Sequence, residues 1–364
     1  MPRTKFFLHL FIAFLSLLCS VPAFACAICA PSADQNTLIF LLLNADAALL
    51  AKPAPVGNDF TPVQAVKGTL PKEGIQVADR LHTAAGSEAA GSVLLLFNAG
   101  TNAWTNAGAM PVSRADWLRQ LASMRPASAL APTDASWAER LALFAPDLEH
   151  SLPLAAQTAY DEIAVAPYAM MRTLKPLLDA RKLSAWLQSP ELAARRSLYH
   201  LLLGFAGDQA TASGLEKRIL SEGASLSKAD LSSMLAATIE LRGNAGVEWV
   251  EQHYLQVPAR TDLEVQAALL AMSVHGNDGV KVSRNRIIQA YRGFISNNPA
   301  RAGFVASDLG NWGHWEFVAD YMALLKTGEK QAFASRYAIV LYLMRSPSAE
   351  ARNALERLRA EGFL

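Results

Sequence analysis

The chain has 364 residues, 52% of them hydrophobic and 18% charged, with 33 Lys and Arg against 32 Asp and Glu. So apolar a composition excludes a disordered chain, and the balanced charge offers no basic surface to nucleic acid. Three cysteines exclude a fold built on disulfides.

Residues 1–25 read as a signal peptide. Arg3 and Lys5 make the charged start, 6–18 an apolar run broken by His9 and Ser16, and Ala23-Phe24-Ala25 a cleavage site of small residues. The run is shorter than the roughly 20 residues of a relaxed membrane span, which disfavours the alternative of an uncleaved anchor. No later stretch reaches that length, so an exported protein, periplasmic or extracellular, is expected, with no transmembrane segment once the leader is removed. A cut after Ala25 leaves Cys26-Ala27-Ile28-Cys29 at the new terminus, whereas a cut after Ala27 leaves Cys29 alone. A lipid on Cys26 is a weaker reading, because the Leu usual three positions upstream is Ala23.

In an oxidising compartment Cys26 and Cys29 are expected to form a local disulfide staple. A redox pair needs a strand–helix setting that the upstream sequence does not offer, and haem attachment needs a His where Ala30 stands. A zinc site needs two further ligands, and the histidines at 82, 150, 200, 253, 275 and 314 are scattered.

After a short helix at 37–43, strand signals recur at 47–51, 60–67, 75–83, 93–97 and 103–105, separated by Gly, Pro and Asn clusters. Five short strands predict a small antiparallel barrel or sandwich over 26–112. The N-terminal cysteines with ADAALLAKPA, FTPVQAVKG and GSVLLLFNAG resemble the netrin-like version of the OB barrel, the fold of the tissue inhibitors of metalloproteinases. Those inhibitors use a Cys-x-Cys terminus. This chain has Cys-x-x-Cys and lacks the partner cysteines, so the resemblance implies the fold and not the inhibition.

From Ser113 to residue 364 the period becomes helical. Segments beginning at Arg196, Leu231, Gln266, Arg301 and Arg336 are spaced 35 residues apart. Each has an apolar helical face, ends in a turn, and is followed by a second amphipathic helix, at 210–220, 246–255, 284–296, 314–325 and 349–360. A less regular pair precedes them at 136–150 and 153–166. Repeated helical hairpins predict an α-solenoid, closer to HEAT or armadillo units than to tetratricopeptides, because one hairpin alone cannot bury both its apolar faces. The alternative is an irregular helical domain. The expected fold class is α+β, a small OB-like barrel followed by a HEAT-like solenoid.

No catalytic motif stands out: HExxH, GxSxG and phosphate-binding glycine loops are all missing. Asp308, Asn311 and His314 form the densest polar cluster, open to a general base or a metal ligand, although a turn between packed helices accounts for it more simply. Asp161 and Glu162 diverge on a helix and are expected to pair with Arg195 or Arg196 across the stack. His200 and His275 lie on apolar faces and read as core histidines. The full layout, with AAQTAYDEIAVAPY, RRSLYHLLLGFAGD and SDLGNWGHW, resembles an uncharacterised family of secreted bacterial proteins, which implies no activity. The expectation is a scaffold that binds a protein or an envelope polymer on its solenoid surface, without a cofactor or metal. The competing reading is a metal- or thiol-dependent enzyme, or a metal-handling protein, using Cys26 and Cys29 or the turn from Asp308 to His314.

Overall fold

The computed structural model describes residues 28, 37–54, 59–77, 91–326 and 332–362. The leader, Cys26, Cys29, His82 and the outer part of the strand expected at 75–83 lie outside the described residues. The fold is α+β, about 67% helical, with a five-stranded curled antiparallel half-barrel sheet.

The Thr37 hydroxyl accepts from the N–H of Phe40 and so caps α1 (Leu38–Asn44). At its other end Lys67 Nζ donates to the carbonyls of Leu42 and Leu43, which have no partner within the helix. The strands are β1 (Ala47–Pro53), β2 (Asp59–Lys67), β3 (Ile75–Gln76), β4 (Val93–Asn98) and β5 (Ala103–Ala109), in the order β3-β2-β1-β4-β5. β1 and β4 are apolar runs rather than alternations because both of their faces are covered. Ala48, Leu50, Leu94 and Leu96 join the main core on one side, while Leu49, Ala51, Val93 and Leu95 build a small second core with Phe60 and Ile75. Register shifts in β1 against β2 and in β4 against β5 curl the sheet.

α2 (Ala115–Ser123) packs on α1 and β2, where Arg119 Nη2 donates to Ala65 O at 3.0 Å. α3 (Ser136–Phe144) and α4 (Pro153–Ala164) follow, the latter against β5. Across the change of period at 112/113, one cluster of buried apolar residues runs from α1 and the sheet through Leu118 and Leu121 into the helices. α5 (Tyr168–Met171) continues as a 3-10 segment, Arg172–Leu177, and α6 (Ala180–Gln188) leads into the remaining helices.

In chain order follow α7 (Arg196–Ala206), α8 (Gln209–Glu222), α9 (Lys228–Arg242), α10 (Asn244–Val250), α11 (Asp262–Asp278) and α12 (Arg284–Asn297). Then come α13 (Ala306–Asn311), α14 (Val318–Lys326), α15 (Phe333–Arg345) and α16 (Ala349–Ala360). α7 packs on α9 and α9 on α11, while α8 lies against α9, α12 against α11 and α16 against α15. The spaced residues Arg196, Leu231, Gln266 and Arg336 fall in the first or second turn of α7, α9, α11 and α15. Arg301 does not start an α-helix. Its segment opens at Pro299 as a 3-10 helix, Pro299–Val305, before the short α13. The backbones approach closely there: a Cβ added to Gly303 would stand 1.9 Å from Ser335 O.

Candidate functional site

Asp308, Asn311 and His314 do not converge. Asp308 Oδ2 accepts from the Tyr291 hydroxyl at 2.8 Å, Asn311 Oδ1 accepts from Arg345 at 2.9 Å, and His314 Nδ1 lies 3.0 Å from Glu316 Oε1 at the surface. One short helix and a turn send the three side chains to three different neighbours. Trp312 stacks on Tyr291 at 5.7 Å and donates to Asn277 Oδ1 at 2.7 Å, binding this turn to the end of α11.

The expected ion pair is also redistributed. Glu162 is paired with the buried Arg140 of α3, through Nε at 2.8 Å and Nη2 at 2.5 Å. Burial raises the Glu162 carboxyl against the pull of Arg140. Arg195 bonds Glu149 at 2.6 Å and Gln157 at 2.6 Å, and Gln157 in turn donates to Asp161 at 2.7 Å, while burial raises the Asp161 carboxyl against the Gln157 bond and the nearby Arg195 charge. Arg196 Nε is buried without a partner.

The described cavity nearest a sequence candidate is a hollow of about 340 Å³ between α11, the segment 299–311 and the start of α15. Gln266, Leu269, Leu270 and Ser273 line it from one face of α11, Phe304 and Asp308 from across, with Lys228 and Ala334 at its edges. Burial raises the Asp308 carboxyl, and hydrogen bonds from Tyr291 and Ser273 work against that rise. With two hydroxyls on it, the Asp308 carboxyl is a fixed group in a hollow lined half by polar and half by apolar residues. Lys228 Nζ donates to Gln266 Oε1 at 2.9 Å at the rim. Such a lining suits a segment that carries both apolar and hydrogen-bonding groups.

A second cluster has no local signature in the sequence. Arg172 inserts between the ends of α9 and α11, donating to Glu240 Oε2 at 2.9 Å and to Asp278 Oδ2 at 2.6 Å, with its guanidinium 5.4 Å from the Phe205 ring. The Tyr168 hydroxyl also donates to Glu240, at 3.1 Å. His275 is fully buried, with Nε2 2.9 Å from Ala236 O and Nδ1 3.9 Å from Glu240 Oε2. Burial holds its ring down to about 4 and raises Glu240 and Asp278. The one hint was Glu240 at the end of a helix whose preceding residues, 231–239, are small or apolar. The cation is taken up by two carboxylates, so the cluster ties the segment 168–177 across α7, α9 and α11. Among the described residues no group of three or more His, Cys, Asp and Glu is placed to hold a metal ion, and no helix is long and apolar enough to cross a membrane.

Comparison with protein-family models, curated proteins and solved structures finds no match for this chain.

Proposed function

We propose that this protein is an exported scaffold whose stacked helices form a HEAT-like solenoid and bind a protein or envelope polymer in the groove at Asp308. One observation carries the reading: α7, α9 and α11 pack in succession, and side-chain bonds tie α11 back to α9 and on to the next segment. Gly204 of α7 lies against Ala237 of α9, a Cβ there standing 2.8 Å from its Cα. His275 of α11 reaches Ala236 O of α9, and Asn277 of α11 holds Trp312 at the end of the next unit. Cohesion of this nearest-neighbour kind builds solenoids, whose long surfaces serve recognition. The order β3-β2-β1-β4-β5, antiparallel throughout, supports an OB-like origin for the sheet. The leader pattern supports export, and the layout supports kinship with the secreted family.

A photo-activatable side chain at Leu270 or Phe304 tests the binding role. Both residues should cross-link one partner from the envelope fraction, which a probe at exposed Gly293 on the back of α12 should not reach. Equal labelling from front and back would remove the groove from the account. Metal bound at one equivalent and lost in Cys29→Ser would replace the scaffold with the metal- or thiol-dependent reading.

A further inference from the structure

α15 is apolar on both faces, and among the described residues only one face is covered. Ser335, Ile339, Tyr342 and Leu343 are buried against the stack. On the opposite face Phe333, Tyr337, Leu341 and Met344 are exposed by 86%, 57%, 37% and 58%. They fall at i, i+4, i+8 and i+11 and so form one stripe along the helix. A helix apolar all round belongs inside a structure.

The register says what this stripe is for. In α7, Ser197 bonds Asp230 of α9 at 3.2 Å and Gly204 meets Ala237, so these two positions face the next helix. Steps of 35 residues carry Ser197 to Ser232, Ala267, Ala302 and Tyr337, and Gly204 to Ile239, Val274, Leu309 and Met344. The intermediate position runs from Leu201 through Ala236, Ala271 and Ala306 to Leu341. From the second helix to the fourth segment every one of these residues is buried. In α15 the same three positions are exposed, Leu341 least of them. They have also changed from mostly small side chains, which let parallel neighbours approach closely, to Tyr, Leu and Met.

We infer that this face docks on α15 of a second copy of the chain, the two helices antiparallel about a two-fold axis. The inference rests on reading the helices as a register-spaced stack. The stripe is self-complementary in that arrangement, because its first half is aromatic and its second half aliphatic. Inverted about its middle, it sets Phe333 opposite the partner copy's Met344 and Tyr337 opposite its Leu341. Isologous pairing of this kind closes the assembly at two copies, whereas a heterologous contact would run on as a filament. The four side chains offer on the order of 400 Å² per copy, about half of what a standard interface buries on each partner. The association is therefore reversible, with a core of four residues and a rim.

Sedimentation velocity of the purified protein from about 1 to 100 µM tests this. The wild type should pass from monomer to dimer across that range. Phe333→Glu and Met344→Lys should each remain monomeric, with unchanged circular dichroism since both sites are exposed. An equimolar mixture of the two variants should recover a heterodimer, because antiparallel register places the new charges opposite each other. A wild type monomeric throughout, a dimer indifferent to both variants, or a monomer that instead co-sediments with anionic phospholipid vesicles would each overturn the inference. A monomer still cross-linked from Leu270 would overturn it and leave the scaffold reading standing.

Discussion

His200 and His275 are enclosed by apolar helices and held neutral. Burial pushes His200 down to about 3, with Arg218 and Arg196 adding to the fall, and His275 down to about 4. In the unfolded chain both rings take up protons near pH 6.5. Between that pH and their folded values the unfolded state binds more protons, so stability is full above about 6.5 and is lost as pH falls. Buried Glu240, Asp278 and Asp308 act in the other direction. Burial raises them, so the folded chain keeps their protons to higher pH than the unfolded chain, and they offset part of the loss at the acid end. Urea unfolding near pH 7 and near pH 5.5 should show a loss of about 1 kcal/mol for each histidine. His275→Gln keeps an N–H for Ala236 O without titrating, and should lose about half as much over the same interval. A His275→Gln variant that loses as much as the wild type over that interval would mean that this ring is not buried as a neutral base.

At the scale of the element, α9 is the most enclosed helix, with residues 231–240 all buried. Its packing against α7 depends on Gly204, where a Cβ would stand 2.8 Å from Ala237 Cα and 3.0 Å from its Cβ. Gly204→Ala must therefore move backbone and should cost about 1–3 kcal/mol. Gly214 of α8 is exposed, with nothing within 4 Å of a built Cβ, and Gly214→Ala should gain about 0.5–1 kcal/mol from helix propensity alone. Thermal melts of the two variants should shift in opposite directions, and a rise for Gly204→Ala would contradict the close approach. Helix starts were legible in part: the expected helices at 284–296 and 349–360 match α12 and α16. The 35-residue spacing enters α9 and α11 about a turn late, past the caps Ser227 and Thr261, which like Ser283 and Ser348 accept from the third residue of their helices. Partnership between elements was not legible. Glu162 finds Arg140 rather than Arg195 or Arg196, and Arg172 reaches residues 68 and 106 positions away, because neither choice leaves a periodic trace. Nor could the cluster from Asp308 to His314 be judged from spacing, since closeness along a short helix says nothing of where the side chains point.

At the scale of the whole molecule, the proposed solenoid has each helical pair held chiefly by its neighbours, and among the described residues α15 and α16 pack mainly on the segment 299–326 and on each other. Nearest-neighbour cohesion of this kind predicts a gradient of local opening. The sheet does not provide a second weak end, because its inner face is continuous with the core beneath α1 and α2. Native-state hydrogen exchange should therefore find α9 and α11 slowest, β1 and β4 close behind with α2, and α15 and α16 fastest among the helical pairs. Raising the protein concentration should slow α15 selectively, since a second copy would supply the contacts that its outer face lacks. Exchange of the sheet ahead of α15 would show that the shared core does not couple the two regions. A uniform rate along the helices would show a single cooperative unit in place of a stack held pair by pair.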